Sequence, residues 1–288
     1  MELFNIKDFV EHYEFFLKEG VKDFEEKYNR RPTLAIVSVD PDAASQVYLK
    51  NKVKACERVG MDHIMYILSK EDTEEDILNC IEVLNNNEYV DGIIVQLPLP
   101  EGLNTLRIQN SVDPMKDVDS FSAVNVGNLV LENNNMHYMP ATVRGIYALL
   151  TCATHIDFTG LNAVVVGRSD IVGKPMAQAL LGLDMTVSIC HSKTKDLSYY
   201  TKNADVLVVA AGVPNLIKGD MIKPGAIVID VGINRVDGKL CGDVDIESCK
   251  EVDCKITPVP GGVGKLTVLG LLIHTYTRAG AKEAMNND

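Results

Sequence analysis

The feature that most limits the fold is a set of nearly continuous apolar runs rich in valine and isoleucine. They are Thr33-Leu-Ala-Ile-Val-Ser-Val39, Asp91-Gly-Ile-Ile-Val-Gln-Leu97, Asn162-Ala-Val-Val-Val-Gly167, Thr186–Cys190, Ala204–Ala210 and Ala226–Asp230. A strand with one wet face alternates apolar and polar residues, whereas a continuous run needs cover on both faces, which a parallel sheet flanked by helices supplies. Helical stretches lie between the runs. In residues 1–30, Phe9, Val10, Tyr13, Phe16, Leu17 and Val21 recur near helical spacing. Asp40-Pro41-Asp42 opens a helix that runs through Cys56 and Glu57 to Gly60, and His63–Leu68 is a further strand. Thr73–Leu84 begins with Glu74-Glu75-Asp76, where the helix dipole favours acids. Thr142–Cys152, Pro175–Leu183 and Leu266–Ala279 complete the helices, and residues 101–140, with Asn133-Asn134-Asn135, read as a turn-rich loop region. The pattern predicts two α/β domains with mainly parallel sheets, spanning 1–141 and 142–265. The helix in 266–288 is expected to return to the first, which periodicity alone does not show.

At 288 residues the chain can bury two cores, and 46% hydrophobic with 24% charged residues removes disordered and fibrous readings. Lysine and arginine total 28 against 40 acids, a net charge of −12 that argues against nucleic acid as a partner but permits a local basic pocket. No run approaches the ~18 apolar residues of a membrane span, and the charged start Met1-Glu2-Leu3-Phe4-Asn5-Ile6-Lys7-Asp8 has no signal-peptide core. Seven cysteines without Cys-x-x-Cys, and no His-Glu-x-x-His, point to reduced thiols in a cytoplasmic protein and to no zinc site.

Val164-Val-Val-Gly167-Arg168-Ser169-Asp170-Ile-Val-Gly173-Lys-Pro175 is a strand, a glycine turn and a helix entry. Glycine admits close backbone approach, and helix-start N–H groups favour a pyrophosphate. The spacing Gly-x-Ser-x-x-x-Gly differs from Gly-x-Gly-x-x-Gly and fits a plain βα turn as well, but the strand and helix on either side favour a dinucleotide. The next strand ends Cys190-His191-Ser192-Lys193-Thr194, with no acid for a ribose hydroxyl. Its donors and cation, with Arg168, suit a 2′-phosphate, so NADP is expected rather than NAD.

In the first half, Ser45, Tyr48 and Lys52 are spaced to share one helix face. A lysine beside a tyrosine can transfer protons if its surroundings adjust its pKa; on spacing alone a solvated face fits equally. Tyr-x-x-x-Lys also occurs in short-chain dehydrogenases, where it follows the glycine turn, whereas here Tyr48 precedes Gly167. Gln96 ends a buried strand, where open α/β sheets face their ligands. Asp119, in Lys116-Asp-Val-Asp119, can accept from an amino-substituted ring or be a simple turn acid. Pro258-Val-Pro-Gly261-Gly262-Val-Gly264-Lys265 lacks the Gly-Lys-Ser/Thr ending of a phosphate-binding loop, which disfavours ATP.

Taken in order, Tyr48-Leu-Lys-Asn-Lys52, Asp91–Pro100, Lys116–Asp119, Val164–Met176, Ala204–Arg235, Gly242-Asp-Val-Asp245 and Thr257–Gly264 resemble the bifunctional methylenetetrahydrofolate dehydrogenase/cyclohydrolase family. The matching blocks extend over about residues 33–275. The resemblance implies two α/β domains flanking a cleft, the second a Rossmann-type dinucleotide-binding domain. It implies oxidation of 5,10-methylenetetrahydrofolate with NADP⁺, then hydrolysis to 10-formyltetrahydrofolate, by a cytoplasmic homodimer with no membrane partner. By matching position, Lys52 is the key cyclohydrolase residue, Tyr48 flanks the pterin, Gln96 tunes Lys52, and Asp119 holds the pterin's amino edge. Val95, Leu97, Pro260, Gly261 and Gly262 line the folate site, and Gly167, Arg168, Ser169, Ser192 and Ile233 bind NADP. The chain departs from the family pattern at Ala141 and Val143, at Ser120 in place of glycine, and at Lys265-Leu266 in place of Pro-Met. Arg144 and Lys265 are thereby expected to add charge near the glutamate tail or the nucleotide. Two other readings, a dehydrogenase without the hydrolase step and a binding module without turnover, are opposed by Lys52 and by the set Tyr48, Gln96 and Asp119.

Overall fold

The computed structural model describes residues 1–132 and 135–286, so Asn133 and Asn134 of the expected loop lie outside the described residues. Along the chain run β1 (Glu2–Leu3), α1 (Ile6–Tyr28), β2 (Thr33–Val39), α2 (Ala43–Val59), β3 (Asp62–Leu68), α3 (Glu74–Asn85) and β4 (Gly92–Val95). Then follow α4 (Thr105–Ser111), α5 (Ala123–Leu131), α6 (Ala141–Ala153), β5 (Asn162–Val166), α7 (Gly173–Leu181), β6 (Thr186–Cys190), α8 (Leu197–Thr201) and β7 (Val206–Val209). The chain closes with β8 (Ala226–Asp230), β9 (Asn234–Val236), β10 (Lys239–Cys241), β11 (Cys254–Ile256) and α9 (Val263–Asn286). Two compact units result. One holds residues 1–10 and 129–267, the other 11–128 and 268–288. Relative to the division expected from sequence, residues 1–10, 129–141 and 266–267 pack with the nucleotide half.

The unit containing residues 129–267 is built on a six-stranded sheet in the order β1-β11-β8-β7-β5-β6, with every pairing parallel. Its core includes Val164, Val166, Leu207, Val209, Val228 and Ile256, each worth about 1.5–3 kcal/mol on burial. From β5 the strand order runs outward in both directions, to β6 on one side and to β7, β8 and β11 on the other. This is the Rossmann-type arrangement, and ligands of such sheets bind beyond the carboxyl ends of the strands where the order reverses.

The second unit carries a three-stranded parallel sheet, β3-β2-β4. All seven residues of β2 are buried, as its continuous apolar run requires. β3, at the edge, leaves Met65, Tyr66 and Ile67 exposed. Beyond β4, a bridge between Ile93 and Asp117 extends the parallel ladder by one short segment. α2 starts where Asp42 accepts from the backbone N–H of Ser45, and stops at Gly60 in a left-handed conformation, φ 81°. α3 opens with a full capping box between Thr73 and Asp76.

The region 101–140 is not the loop its composition suggests, since it contains α4, α5 and a 3₁₀ turn at Met136–Tyr138. α5, Ala-Val-Asn-Val-Gly-Asn-Leu-Val-Leu, is poor in strong helix formers, and it buries Asn125 and Leu129 while leaving Val124, Val126, Val130 and Leu131 exposed.

Candidate active site

The second unit brings three of the expected residues together. Lys52 lies on α2, one turn beyond Tyr48, and its Nζ donates to Gln96 Oε1 at 2.8 Å. The Gln96 side-chain amide in turn donates to the carbonyl of Leu97 at 2.6 Å, which leaves its oxygen turned to Lys52. The backbone of Gln96 is anchored to β2 through its N–H to the carbonyl of Val37, 2.8 Å. Val95 and Leu97 flank it at the end of β4. Asp119 arrives at the same sheet end by a parallel route, because residues 116–118 run beside β4 with the Ile93 N–H bonded to the Lys116 carbonyl at 2.6 Å.

The segment leading to Asp119 is fastened by side chains that the sequence did not mark as functional. Lys116 Nζ donates to the carbonyls of Leu84 (3.1 Å), Asn85 (2.6 Å) and Asn87 (2.8 Å). Arg278 of α9 donates to the carbonyls of Pro114 (3.0 Å), Met115 (3.1 Å) and Asp117 (3.3 Å). Asp117 Oδ2 accepts from the Ser122 N–H at 2.8 Å and from the Asn125 side-chain amide at 3.1 Å. Their partners are mostly main-chain groups, which leave no trace in sequence spacing; only the closeness of Lys116 and Asp117 to Asp119 is a signal. Ser120 takes φ 55° directly after Asp119, a left-handed conformation that favours the glycine of the family pattern.

Burial makes this cluster reactive. It lowers the pKa of Lys52, partly opposed by the negative charge of Asp119. The Asp119 carboxyl is pushed up to about 6 by burial and, less, by Asp117, while Lys52 pulls it down. A lysine whose pKa is lowered thus stands within reach of the charge of a carboxyl pushed up to about 6, the arrangement general acid–base chemistry needs. Tyr48 is 41% exposed on the Lys52 face of α2, open to a flat ligand. Cys56, one turn past Lys52, is fully buried with its thiol pushed up to about 12, so it stays protonated and unreactive.

In the other unit, Gly167, Arg168 and Ser169 form the turn after β5. Gly167 has φ 132°, and a Cβ there would overlap the carbonyl oxygen of Ala210 at the end of β7. A Cβ at Gly173 would overlap the Gly167 carbonyl, so both glycines are required for strand, turn and helix to meet. Ser169 Oγ accepts from the N–H groups of Val172 and Gly173, each at 3.2 Å, and so caps the start of α7. Arg168 is exposed beside it. At the end of β6, His191, Lys193 and Lys195 border a cavity of about 540 Å³. Ser192 is exposed in the same turn, closed by the His191 N–H to Thr194 Oγ1 at 2.9 Å and the Lys193 N–H to His191 Nδ1 at 3.2 Å. Glycines that admit a close backbone, with cations and hydroxyls at the next strand end, fit a phosphorylated dinucleotide. Ile233 follows β8 and is half exposed. Pro260, Gly261 and Gly262 follow β11 in this unit, with Gly261 at φ 94° and Gly262 lacking room for a Cβ against the Pro258 carbonyl.

Two acids in this unit were not expected as functional. Asp230 ends β8 and Asp243 follows β10; both are buried and stand close enough for the Asp243 charge to raise Asp230, whose carboxyl burial pushes up to about 6.

Known proteins share this arrangement. A sequence profile for the catalytic domain of tetrahydrofolate dehydrogenase/cyclohydrolase matches residues 5–119, and one for its NAD(P)-binding domain matches residues 140–283. The bifunctional protein FolD of Aquifex aeolicus is 48% identical over 259 residues, covering 90% of this chain and 88% of its own. The crystal structure of the bifunctional enzyme FolD, methylenetetrahydrofolate dehydrogenase/cyclohydrolase, from Campylobacter jejuni superposes with a TM-score of 0.92 at 44% identity, covering 98% of this chain and 99% of that one. The Trypanosoma brucei methylenetetrahydrofolate dehydrogenase-cyclohydrolase, solved with NADP cofactor and an inhibitor, gives 0.90 at 35% identity over 95% of each chain. With both profiles matched and likeness of this extent in sequence and fold, the chain belongs to the tetrahydrofolate dehydrogenase/cyclohydrolase family.

Proposed function

We propose that this protein oxidises 5,10-methylenetetrahydrofolate to 5,10-methenyltetrahydrofolate with NADP⁺ and then hydrolyses the product to 10-formyltetrahydrofolate, a step of one-carbon metabolism. The observation that carries the reading is the Lys52–Gln96 hydrogen bond of 2.8 Å in a half-buried cluster with Asp119. Residues 1–141 with 266–288 serve folate chemistry, and 142–265 serve the dinucleotide.

Oxidation removes hydride from the methylene carbon, and the adjoining nitrogen lone pairs stabilise the resulting cation, so orientation does most of the work. NADP⁺ supplies the hydride acceptor when bound. Asp119 accepts hydrogen bonds from the pterin's amino edge, and Tyr48 flanks the ring. Val95, Leu97, Pro260, Gly261 and Gly262 line the folate, while Gly167, Arg168, Ser169, Ser192 and Ile233 hold the dinucleotide. In hydrolysis the oxygen of water bonds to the methenyl carbon, and Lys52 takes the proton that water loses. Collapse of the resulting carbinol to a formyl group breaks the bond to N5, which receives the hydroxyl proton. Lys52 then returns its proton to solvent. Gln96 supports this by offering Lys52 a neutral acceptor, which orients the amine without holding its proton.

An absorbance assay tests the reading. Reduced nicotinamide should accumulate from methylenetetrahydrofolate with NADP⁺ in preference to NAD⁺, and added methenyltetrahydrofolate should decay faster than in buffer. Lys52→Met should abolish that decay. NADPH binding without turnover in either assay would overturn the reading in favour of a binding module.

A cytoplasmic homodimer belongs to the same reading. None of the seven cysteines is in a disulfide, and no described helix is long and apolar enough to cross a membrane. Exposed Met65, Tyr66 and Ile67 on the edge strand β3 support pairing with a second copy. Sedimentation at micromolar concentration should give twice the mass of one chain, and a single-chain mass would overturn the dimer.

A further inference from the structure

The buried acids Asp230 and Asp243 lie outside the cluster that performs folate chemistry, yet four of their six bonds reach the segments just after β7 and β8, at the strand ends that face the dinucleotide, and the other two tie Asp230 to the segment that carries Asp243. Asp243 Oδ2 accepts from the N–H groups of Ala211 (2.7 Å) and Gly212 (2.8 Å), just after β7. Its Oδ1 accepts from the Asn234 side-chain amide at 2.8 Å, just after β8. Asp230 Oδ1 accepts from the N–H groups of Gly232 and Asp243, each at 3.0 Å, and its Oδ2 from that of Val244 at 3.0 Å. Ile233 is therefore pinned on both sides, through Gly232 to Asp230 and through Asn234 to Asp243. The space around the carboxylates is reserved for them, since a Cβ at Gly232 would overlap Asp243 Oδ1 and one at Gly242 would overlap Asp230 Oδ2.

Placing two carboxylates in one buried pocket is costly, and a fold that needed only a hairpin anchor could use neutral side chains there. What two carboxylates add is a rigid fork of acceptors, each gathering three N–H donors from separate loops. We infer that Asp243 is a positioning residue for the dehydrogenase step, fixing the loops after β7 and β8 in the form that seats the nicotinamide dinucleotide, with Asp230 fixing Asp243 in turn. The inference rests on the proposed binding of NADP⁺ at these strand ends.

Asp243→Asn keeps the shape but leaves one acceptor oxygen where two are needed. NADPH binding, followed by the cofactor's own fluorescence, should weaken at least tenfold, and the KM for NADP⁺ should rise by a similar factor while the KM for methylenetetrahydrofolate stays within twofold. Methenyltetrahydrofolate hydrolysis, carried by Lys52 in the other unit, reports that the variant is folded. Should Asp243→Asn fail to fold, Asn234→Ala removes a single bond, and a three- to fivefold rise in the KM for NADP⁺ is expected. Unchanged NADP⁺ parameters in the folded variant, or in Asn234→Ala if that alone folds, overturn the inference while leaving the proposed function standing. Equal losses in both KM values and in hydrolysis overturn it as well, since they mark general destabilisation. Wild-type protein that does not bind NADPH overturns the proposed function, and this inference with it.

Discussion

Lys52 keeps its amine in a place where charge is expensive, and its one observed hydrogen-bond acceptor is a neutral amide. Replacing Gln96 by glutamate supplies a negative acceptor and should raise the Lys52 pKa again. The expected result is a fall of about 100-fold in methenyltetrahydrofolate hydrolysis near neutrality, the low end of general-base effects, with the pH profile moved to higher pH. Asp119 gives a separate pH signature. Its carboxyl, pushed up to about 6, must be ionised to accept from the pterin, so the KM for methylenetetrahydrofolate should rise as pH falls through about 6. The stability effect has the opposite sense. A carboxyl raised in the folded state stabilises the fold while protonated, and that stability is lost as pH climbs from about 4 to about 6. Asp119→Asn should therefore be more stable than the wild type at pH 7, by on the order of 1 kcal/mol, with the gap closing below pH 4 in urea titrations.

Among the elements, those whose core positions follow one clear period were legible in the chain. β2, β6 and β8 have the bounds their apolar runs suggest, and α3 has the start its acids and Thr73 dictate. β1 and β11 were not, because two or three residues of Glu-Leu and Cys-Lys-Ile show no period, and only pairing, of β11 with β8 and of β1 with β11, makes them strands. The β9–β10 hairpin was hidden for the same reason. For the site, spacing placed Tyr48 and Lys52 on one face, but the meeting of Lys52 with Gln96 across 44 residues came from family resemblance, not from any local rule. α6 shows how one residue serves an element. A Cβ at Gly145 would overlap the carbonyl of Leu266, the first turn of α9, so the two helices touch backbone to backbone. Gly145→Ala must push them apart and should cost about 1–3 kcal/mol, measured by chemical denaturation.

At the scale of the molecule, the unit made of residues 11–128 and 268–288 depends on a segment distant in the chain. Arg30, at the end of α1, makes two 2.8 Å bonds to the fully buried carboxylate of Asp91 and a third, also 2.8 Å, to Glu283 near the end of α9. Asp91 also accepts from the Thr33 N–H at 2.9 Å, tying together the starts of β2 and β4. Arg30→Ala would leave the buried Asp91 carboxylate only the Thr33 N–H and the Lys282 ammonium 3.8 Å away, and should cost about 3 kcal/mol in a denaturant titration, far more than removal of an exposed ion pair such as Lys22–Glu19. The short segment laddered beside β4 has a different kind of consequence, for how such a chain can change over evolutionary time. Gln96 and Asp119 reach the same sheet end because residues 116–118 keep step with β4 through the Ile93–Asp117 bridge. One residue gained or lost between Lys116 and Asp119 would turn the carboxyl to the opposite side of the ladder. At Glu101 and Gly102 the chain runs exposed and outside the ladder, and there its length is free to drift among descendants, whereas α4 beyond them buries Ile108. What lineages must inherit unaltered is thus a count of residues as much as their identity.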